Sequence, residues 1–112
     1  MRKSIDWRGI YVIAVTPFDE EHRVDEVALR RQIDFCVDCG VHGIVTPGVS
    51  SEFYTLSDTE RERVVAVSVE ATAGRVPLVA GVAGTSPHHA GALARAAQTA
   101  GADALMAMPP CA

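Results

Sequence analysis

The sequence predicts an α/β protein with the parallel order βαβαβαβ, the N-terminal half of a (β/α)8 barrel. Four short apolar runs recur roughly every 30 residues, and segments with helical periodicity lie between them. The runs are continuous rather than alternating, which is typical of strands covered on both faces. Strand–helix–strand crossovers are right-handed and join parallel strands, so one parallel sheet is expected. The predicted strands are residues 10–15, 43–46, 76–82 and 104–108.

The first helix is predicted from apolar residues that recur on one face, with charged residues on the other faces. Gly40 follows this pattern and is a typical C-terminal stop. The apolar stripe consists of Leu29, Ile33, Cys36 and Val37.

The second helix is predicted to begin at a capping box formed by Ser57 and Glu60. In this motif the serine hydroxyl accepts from the third helical amide, and the glutamate side chain reaches back to the serine amide. Gly74 is expected to end the helix. Its apolar stripe consists of Val64, Val67 and Ala71.

The third helix is predicted to begin at Ser86, a capping residue, with Pro87 at the first helical position. Gly101 is expected to close it. Its face is thin and made of small residues, which permits close packing. The face consists of Ala90, Leu93, Ala94 and Ala97.

Two architectures fit this order, half of a (β/α)8 barrel and a small doubly wound sheet. The last strand is followed by Pro109 and Pro110 with no closing helix, which favours the barrel. Such barrels run to roughly 250 residues, so residues 1–112 are expected to form a single partial-barrel domain whose C-terminal half is absent.

Composition excludes several classes of protein. The chain has 112 residues, of which 48% are hydrophobic and 21% charged, enough apolar mass to form a core. A net charge of −4 disfavours nucleic-acid binding. The apolar runs are far too short to cross a membrane, and three cysteines do not make a disulfide framework. We therefore expect a cytoplasmic protein without a nucleic-acid or membrane partner.

The candidate site lies in the loops that follow the strands, because both architectures bind ligands at that end of the sheet. These loops are residues 16–18, 47–52, 81–85 and 108–110. Gly48, Ser50 and Ser51 directly follow a buried strand and can present amides and hydroxyls to a carboxylate. The alternative for this stretch is an ordinary polar loop without a ligand.

Five motifs together resemble the dihydrodipicolinate synthase / N-acetylneuraminate lyase family. In order along the chain they are Gly9-Ile-Tyr-Val-Ile-Ala-Val-Thr-Pro-Phe, Gly48-Val-Ser-Ser-Glu with Leu56-Ser-x-x-Glu, Val76-Pro-Leu-Val-Ala-Gly-Val, Gly101-Ala-Asp-Ala and Met108-Pro-Pro. The resemblance implies a (β/α)8 (TIM) barrel, usually a homo-oligomer. It also implies a lysine Schiff base with pyruvate or another 2-oxo acid, followed by aldolase, synthase or dehydratase chemistry. We expect no cofactor and no metal.

Only some positions of the family's polar loop are matched by the same type of residue in this sequence. The family's Gly-Thr-Thr-Gly-Glu loop corresponds to Gly48, Val49, Ser50, Ser51 and Glu52. The second hydroxyl of that loop, which holds the pyruvate carboxylate with nearby amides, is matched in type by Ser50. The first hydroxyl belongs to a proton relay, and valine cannot pass a proton. The substrate-binding residues implied are therefore Gly48, Ser50 and Ser51.

The resemblance places the Schiff-base lysine and the acid–base tyrosine on later strands, beyond residue 112. Lys3 is the only lysine here, and it lies in a polar N-terminal segment. A nucleophilic amine instead needs a dry pocket that lowers its pKa. The family's interface tyrosine is also missing, since Cys111 and Ala112 follow Pro110. No catalytic residue is therefore assigned, and enzyme activity of this chain alone is left open.

Three hypotheses follow for the function of this chain. The first is the N-terminal part of a lyase or synthase of this family. The second is a non-catalytic half-barrel that binds a small carboxylate or pairs with another subunit. The third is an unrelated doubly wound binding domain, which the loop disfavours because it lacks a glycine-rich phosphate-binding pattern.

Four other groups of polar residues have simpler interpretations. Cys36 and Cys39 have C-x-x-C spacing, but they fall at the C-terminal end of a helix, where the dipole does not favour a thiolate. His88 and His89 are interpreted as a solvated helix start, since adjacent helical residues point about 100° apart. Structural roles are expected for His42 and Glu52.

Overall fold

The computed structural model describes residues 4–110, in four strands, three α-helices and one short 3₁₀ helix. Lys3, Cys111 and Ala112 lie outside the described residues. The predicted βαβαβαβ order is confirmed, and the 3₁₀ turn is an addition. The elements are β1 (Tyr11–Ile13), α1 (Glu26–Asp38), β2 (Gly43–Val45), the 3₁₀ helix (Phe53–Thr55), α2 (Asp58–Thr72), β3 (Leu78–Gly81), α3 (Pro87–Ala100) and β4 (Ala104–Met106).

The four strands form one parallel sheet in the order β1-β2-β3-β4. Consecutive strands are therefore neighbours, as in a barrel and unlike a doubly wound sheet, whose strand order reverses. Val12 pairs with Ile44, Ile44 with Leu78, and Val79 with Ala104. The partial-barrel prediction is confirmed, and each strand is shorter than the apolar run that predicted it.

Each α-helix begins where a side-chain oxygen satisfies a free backbone amide. Ser57 and Glu60 form both hydrogen bonds of the predicted capping box, at 3.2 and 2.9 Å. Ser86 Oγ accepts from the His89 amide at 3.1 Å, with Pro87 opening the helix as predicted. Asp25 caps α1 in the same way, a cap that the sequence interpretation did not identify.

The core lies between the sheet and the three helices. Leu29 and Ile33 of α1, Val64 of α2 and Leu93 of α3 are buried against the sheet. From the sheet side they meet alternate residues of β1, β2 and β3 and of the segments that directly follow β1 and β3, so one face of these three strands lies in the core. The buried residues of this face are Ile44, Leu78 and Ala80, with Ala14 directly after β1 and Val82 directly after β3.

The opposite face of the sheet has no covering layer within residues 4–110. Ile13 is 40% exposed, Val15 53% and Met106 38%. The apolar character of these residues is what made the runs continuous rather than alternating in the sequence. The sheet is thus built from strands suited to burial on both faces, of which the helices cover one.

Helix α2 buries polar as well as apolar side chains. Arg61, Ser68 and Thr72 are each at most 5% exposed, alongside the predicted Val64 and Val67. Thr72 satisfies its hydroxyl within the helix by donating to the Ser68 carbonyl at 2.8 Å. The buried face is therefore wider than the apolar stripe that predicted it.

His42 has the structural role expected of it. Its Nδ1 accepts from the Ile10 amide at 2.9 Å, and the Ile10 carbonyl accepts from the His42 amide at 2.8 Å. The ring also packs against Gly9, where an added Cβ would lie 2.2 Å from it. This contact lies at the end of the sheet opposite the candidate loops.

The cysteines occupy the positions expected for packing residues. Cys36 lies in the last turn of α1 and is 9% exposed, whereas Cys39 is the C-cap and is exposed. Burial raises the pKa of the Cys36 thiol, with a smaller contribution from Cys39. Neither cysteine forms a disulfide in the described part of the chain.

Gly81 is required by a close approach of two loops. It ends β3, and a Cβ added there would lie 1.8 Å from the Pro47 carbonyl oxygen. This neighbour is backbone, so no side-chain movement can relieve the overlap. The end of β3 therefore fixes how closely the loop after β2 lies against the sheet.

We expect Gly81→Ala to destabilise the protein by about 1–3 kcal/mol, the usual cost of overpacking a tight site. Gly91→Ala is the matched control. Gly91 lies inside α3 with only ordinary contact around its added Cβ. It should stabilise the helix by about 0.5–1 kcal/mol. Urea denaturation measures both, and equal midpoints for the two variants would contradict the predicted contact.

We expect iodoacetamide at pH 8 to modify Cys39 well before Cys36. Because burial raises the pKa of Cys36, less of its reactive thiolate is present at this pH. Cleavage before Asp38 separates the two cysteines for mass spectrometry, and urea-denatured protein is the control, in which both should react. Equal rates in the native protein would show that Cys36 is not buried.

Candidate functional site

The loops after the strands come together at one end of the sheet. Thr16, which follows β1, donates its hydroxyl to the Ser51 carbonyl at 2.7 Å. Gly81, at the end of β3, donates its amide to the Thr46 carbonyl at 3.4 Å. Val49 and Met108 line the same cavity, so the loop after β4 also joins this group. The structure thus brings together the four loops that the sequence singled out.

The central loop is a closed turn over residues 48–51. The Ser51 amide donates to the Gly48 carbonyl at 3.1 Å, and the Glu52 amide donates to the Val49 carbonyl at 2.9 Å. An added Cβ at Gly48 would lie 2.8 Å from Ile13, so glycine lets the turn sit directly on the open face of the sheet.

The two serines of this turn have opposite surroundings. Ser51 is fully buried, and its hydroxyl accepts from the Gly48 amide at 2.9 Å and donates to the Ala14 carbonyl. Ser50 is exposed, and its hydroxyl has no hydrogen bond to residues 4–110. Ser50 can therefore reach a ligand directly, whereas the hydroxyl of Ser51 is occupied within the protein.

Two backbone amides beside Ser50 are also free to donate. Within residues 4–110, neither the Val49 amide nor the Ser50 amide has an acceptor. The Gly48 amide does have one, the hydroxyl of Ser51. Successive free amides next to a hydroxyl are a common way to bind an anionic oxygen. This turn can accordingly donate three hydrogen bonds to one carboxylate.

A cavity of about 600 Å³ opens beside the turn, between the start of α2 and the loops after β3 and β4. Val49 lines it, and most of the remaining lining is apolar. The other lining residues include Phe53, Leu56, Gly84, Met108, Pro109 and Pro110.

Arg61 lies in the wall of this cavity and is 5% exposed. Its guanidinium lies over the Phe53 ring, 4.9 Å from the centroid, and its Nε and Nη2 have no partner in the described residues. Burial lowers the pKa of Arg61, while the charge of Asp58 acts in the opposite direction. No pattern in the sequence marks Arg61, since an arginine in the first turn of a helix is usually exposed.

His89 joins the N-termini of α2 and α3. Its Nε2 lies 2.8 Å from Asp58 Oδ1, and its Nδ1 accepts from the Thr85 amide at 3.1 Å. The proton consequently resides on Nε2, which donates to the carboxylate. A solvated helix start describes the exposed His88 but is wrong for His89. The spacing of Asp58 and His89, 31 residues apart, gave no signal.

Glu52 shapes the turn through its backbone. It adopts a left-handed conformation with φ of 62°, and its carbonyl accepts from the Thr55 hydroxyl at 2.8 Å. Its exposed side chain forms no hydrogen bond with the rest of residues 4–110. The backbone of Glu52 thus helps to hold the turn, as expected for a structural residue.

Residues 4–110 contain no cluster of three or more side chains suited to holding a metal ion. The helices in this range also lack the length and apolarity that a membrane crossing requires.

Comparison with known proteins identifies the family. The model of the dihydrodipicolinate synthetase family matches residues 6–111. An uncharacterised DapA-like lyase of Rhizobium meliloti is 39% identical over 110 residues, which are 98% of this chain and 37% of that protein.

Solved structures agree in fold. A dihydrodipicolinate synthetase described as putative, from Pseudomonas aeruginosa, superimposes with a TM-score of 0.92 at 33% identity, over 95% of this chain and 37% of that one. YagE, a prophage protein of the dihydrodipicolinic acid synthase family from E. coli K12 in complex with pyruvate, gives 0.87 at 29% identity, over 90% and 34%.

The chain spans little more than a third of the length of these relatives. Its four strands and their helices match the N-terminal part of a TIM barrel. The match of the family model over nearly the whole chain, together with this fold, carries the conclusion. The chain belongs to the dihydrodipicolinate synthetase family.

Proposed function

We propose that this chain is the N-terminal part of a lyase or synthase that acts on pyruvate or another 2-oxo acid through a lysine Schiff base. In this proposal the chain supplies the carboxylate-binding turn, and later barrel strands supply the lysine and the acid–base tyrosine. We also propose that the complete protein is a cytoplasmic homo-oligomer.

The observation that carries the proposal is the set of free donors on the turn after β2. The amides of Val49 and Ser50 and the hydroxyl of Ser50 have no acceptor within residues 4–110. Three donors match the two oxygens of a carboxylate, and charge-assisted hydrogen bonds are the stronger kind. The complex of YagE with pyruvate supports the choice of ligand class.

The Gly48, Ser50 and Ser51 assignments take different forms in this proposal. Ser50 contacts the carboxylate through its hydroxyl and amide. Gly48 allows the backbone of the turn to lie close to Ile13. Ser51 holds the shape of the turn from inside it, since its side chain is fully buried.

Val49 bears on the route of the proton transfer that follows binding. Its side chain is 49% exposed and lines the cavity, where it can neither donate nor accept a proton. We infer that any proton transfer in the complete site bypasses this position. The substitution is compatible with an aldolase or a dehydratase as well as with a synthase.

A second candidate is a non-catalytic half-barrel that pairs with another subunit. The observation that favours it is the open apolar face, with Ile13, Val15 and Met106 each at least 38% exposed. The unpaired edges of β1 and β4 would also be available for strand pairing. This candidate requires no lysine chemistry, so covalent trapping distinguishes it from the first.

We expect Ser50→Ala to weaken pyruvate binding by about 1–3 kcal/mol, the usual loss for one hydrogen bond to a charged group. The change can be measured by ¹⁵N NMR titration of the chain, which detects weak ligands. Ser4→Ala, at an exposed serine outside the four loops, is the control and should bind like the unmodified chain. Unchanged affinity in Ser50→Ala would remove the proposed role of Ser50.

We expect the protein isolated from its own source to have a mass above 11.9 kDa and to gain a reduced pyruvate adduct with borohydride. The adduct forms because borohydride reduces the imine between lysine and pyruvate to a stable amine. Intact-mass spectrometry with and without pyruvate measures it. A mass of 11.9 kDa with no adduct would favour the non-catalytic candidate.

A further inference from the structure

Ser51 links the turn after β2 to the end of β1. Its hydroxyl donates to the Ala14 carbonyl and accepts from the Gly48 amide at 2.9 Å. Its own carbonyl accepts from the Thr16 hydroxyl at 2.7 Å. The hydroxyl and the carbonyl of Ser51 are thus both hydrogen-bonded to the segment after β1, and the side chain is fully buried.

The same hydrogen bonds keep the Ser51 hydroxyl away from any ligand. A carboxylate needs a donor, and the single proton of this hydroxyl is directed to the Ala14 carbonyl. The Gly48 amide is likewise occupied by Ser51. The free donors of the turn are therefore those of Val49 and Ser50, which lie between the two bonded residues.

The position of Ser51 determines which way those donors face. A four-residue turn whose first amide and last side chain are bonded together has little freedom between them. The bond to Ala14 then fixes the whole turn relative to the sheet.

We propose that Ser51 is the positioning residue of the carboxylate site, holding the amides of Val49 and Ser50 toward the ligand without touching it. The inference rests on the proposed function, because it assumes that these donors bind a 2-oxo acid. It goes further by separating the residue that contacts the ligand from the one that orients the contact.

The test is ¹⁵N NMR titration of the chain with pyruvate, comparing Ser51→Ala with Ser68→Ala. Ser68 is a matched control because it is also a fully buried serine, but it lies in α2 and its hydroxyl has no hydrogen-bond partner among residues 4–110. We expect Ser51→Ala to bind pyruvate at least fivefold more weakly and Ser68→Ala to bind it unchanged. The Gly48 amide should exchange with solvent faster in Ser51→Ala alone.

The outcomes separate the two proposals. If the unmodified chain shifts the Val49 and Ser50 amides with pyruvate and Ser51→Ala does so at the same concentration, the positioning role is wrong and the proposed function stands. Should the unmodified chain show no shift at these amides, both proposals fail. A lower urea midpoint for Ser51→Ala with unchanged pyruvate affinity would mean that Ser51 only stabilises the fold.

A second variant keeps the test valid if Ser51→Ala does not fold. Thr16→Val removes the hydrogen bond to the Ser51 carbonyl with little change of volume, and it leaves the Ser51 hydroxyl in place. We expect weaker pyruvate binding here as well, with smaller magnitude, because one of the bonds that hold the turn is lost. Unchanged binding in Thr16→Val, with faster exchange at the turn amides, would overturn the inference.

Discussion

Parallel pairing of the four strands is the constraint on which the rest of the structure depends. Since every strand runs the same way, every loop that follows a strand opens at the same end of the sheet. Thr16, Ser51 and Gly81 can meet there although they are far apart in the chain. The opposite end carries contacts of a different kind, such as the mutual hydrogen bonds of Ile10 and His42. The candidate site and the His42 contact therefore lie at opposite ends of one sheet.

Features decided by neighbouring residues were predictable from the sequence. The Ser57–Glu60 capping box and the Ser86–Pro87 start depend on groups a few residues apart, and the structure confirms both. The surroundings of Ser51 were not predictable, because its partner Ala14 lies 37 residues away. Sequence reasoning therefore located the turn but could not separate an exposed serine from a buried one. The contact of His89 was not predicted for the same reason, since its partner Asp58 lies on another helix.

Helix α2 illustrates a limit of hydropathy patterns. Arg61, Ser68 and Thr72 share the buried face with valines, so the apolar stripe understates what the helix buries. Thr72 satisfies its hydroxyl locally, whereas the guanidinium of Arg61 is only partly compensated by the Phe53 ring. A buried cation with free donors lowers stability unless something offsets its desolvation. Arg61 is buried because of how α2 packs in the folded protein, and the hydropathy of neighbouring residues does not predict that packing.

The hydrogen bonds of the Gly48–Ser51 turn bear on the thermodynamics of recognition. Ordering a loop of this length normally costs about 1–2 kcal/mol of backbone entropy per residue. Here that ordering accompanies folding, because the hydrogen bonds of Ser51 to Gly48 and Ala14 form within the chain itself. A ligand that arrives at the free amides meets a preformed surface and loses little affinity to conformational rearrangement. Bound and free forms should therefore share one backbone in this turn, and selectivity should follow from how well a ligand's shape fits it.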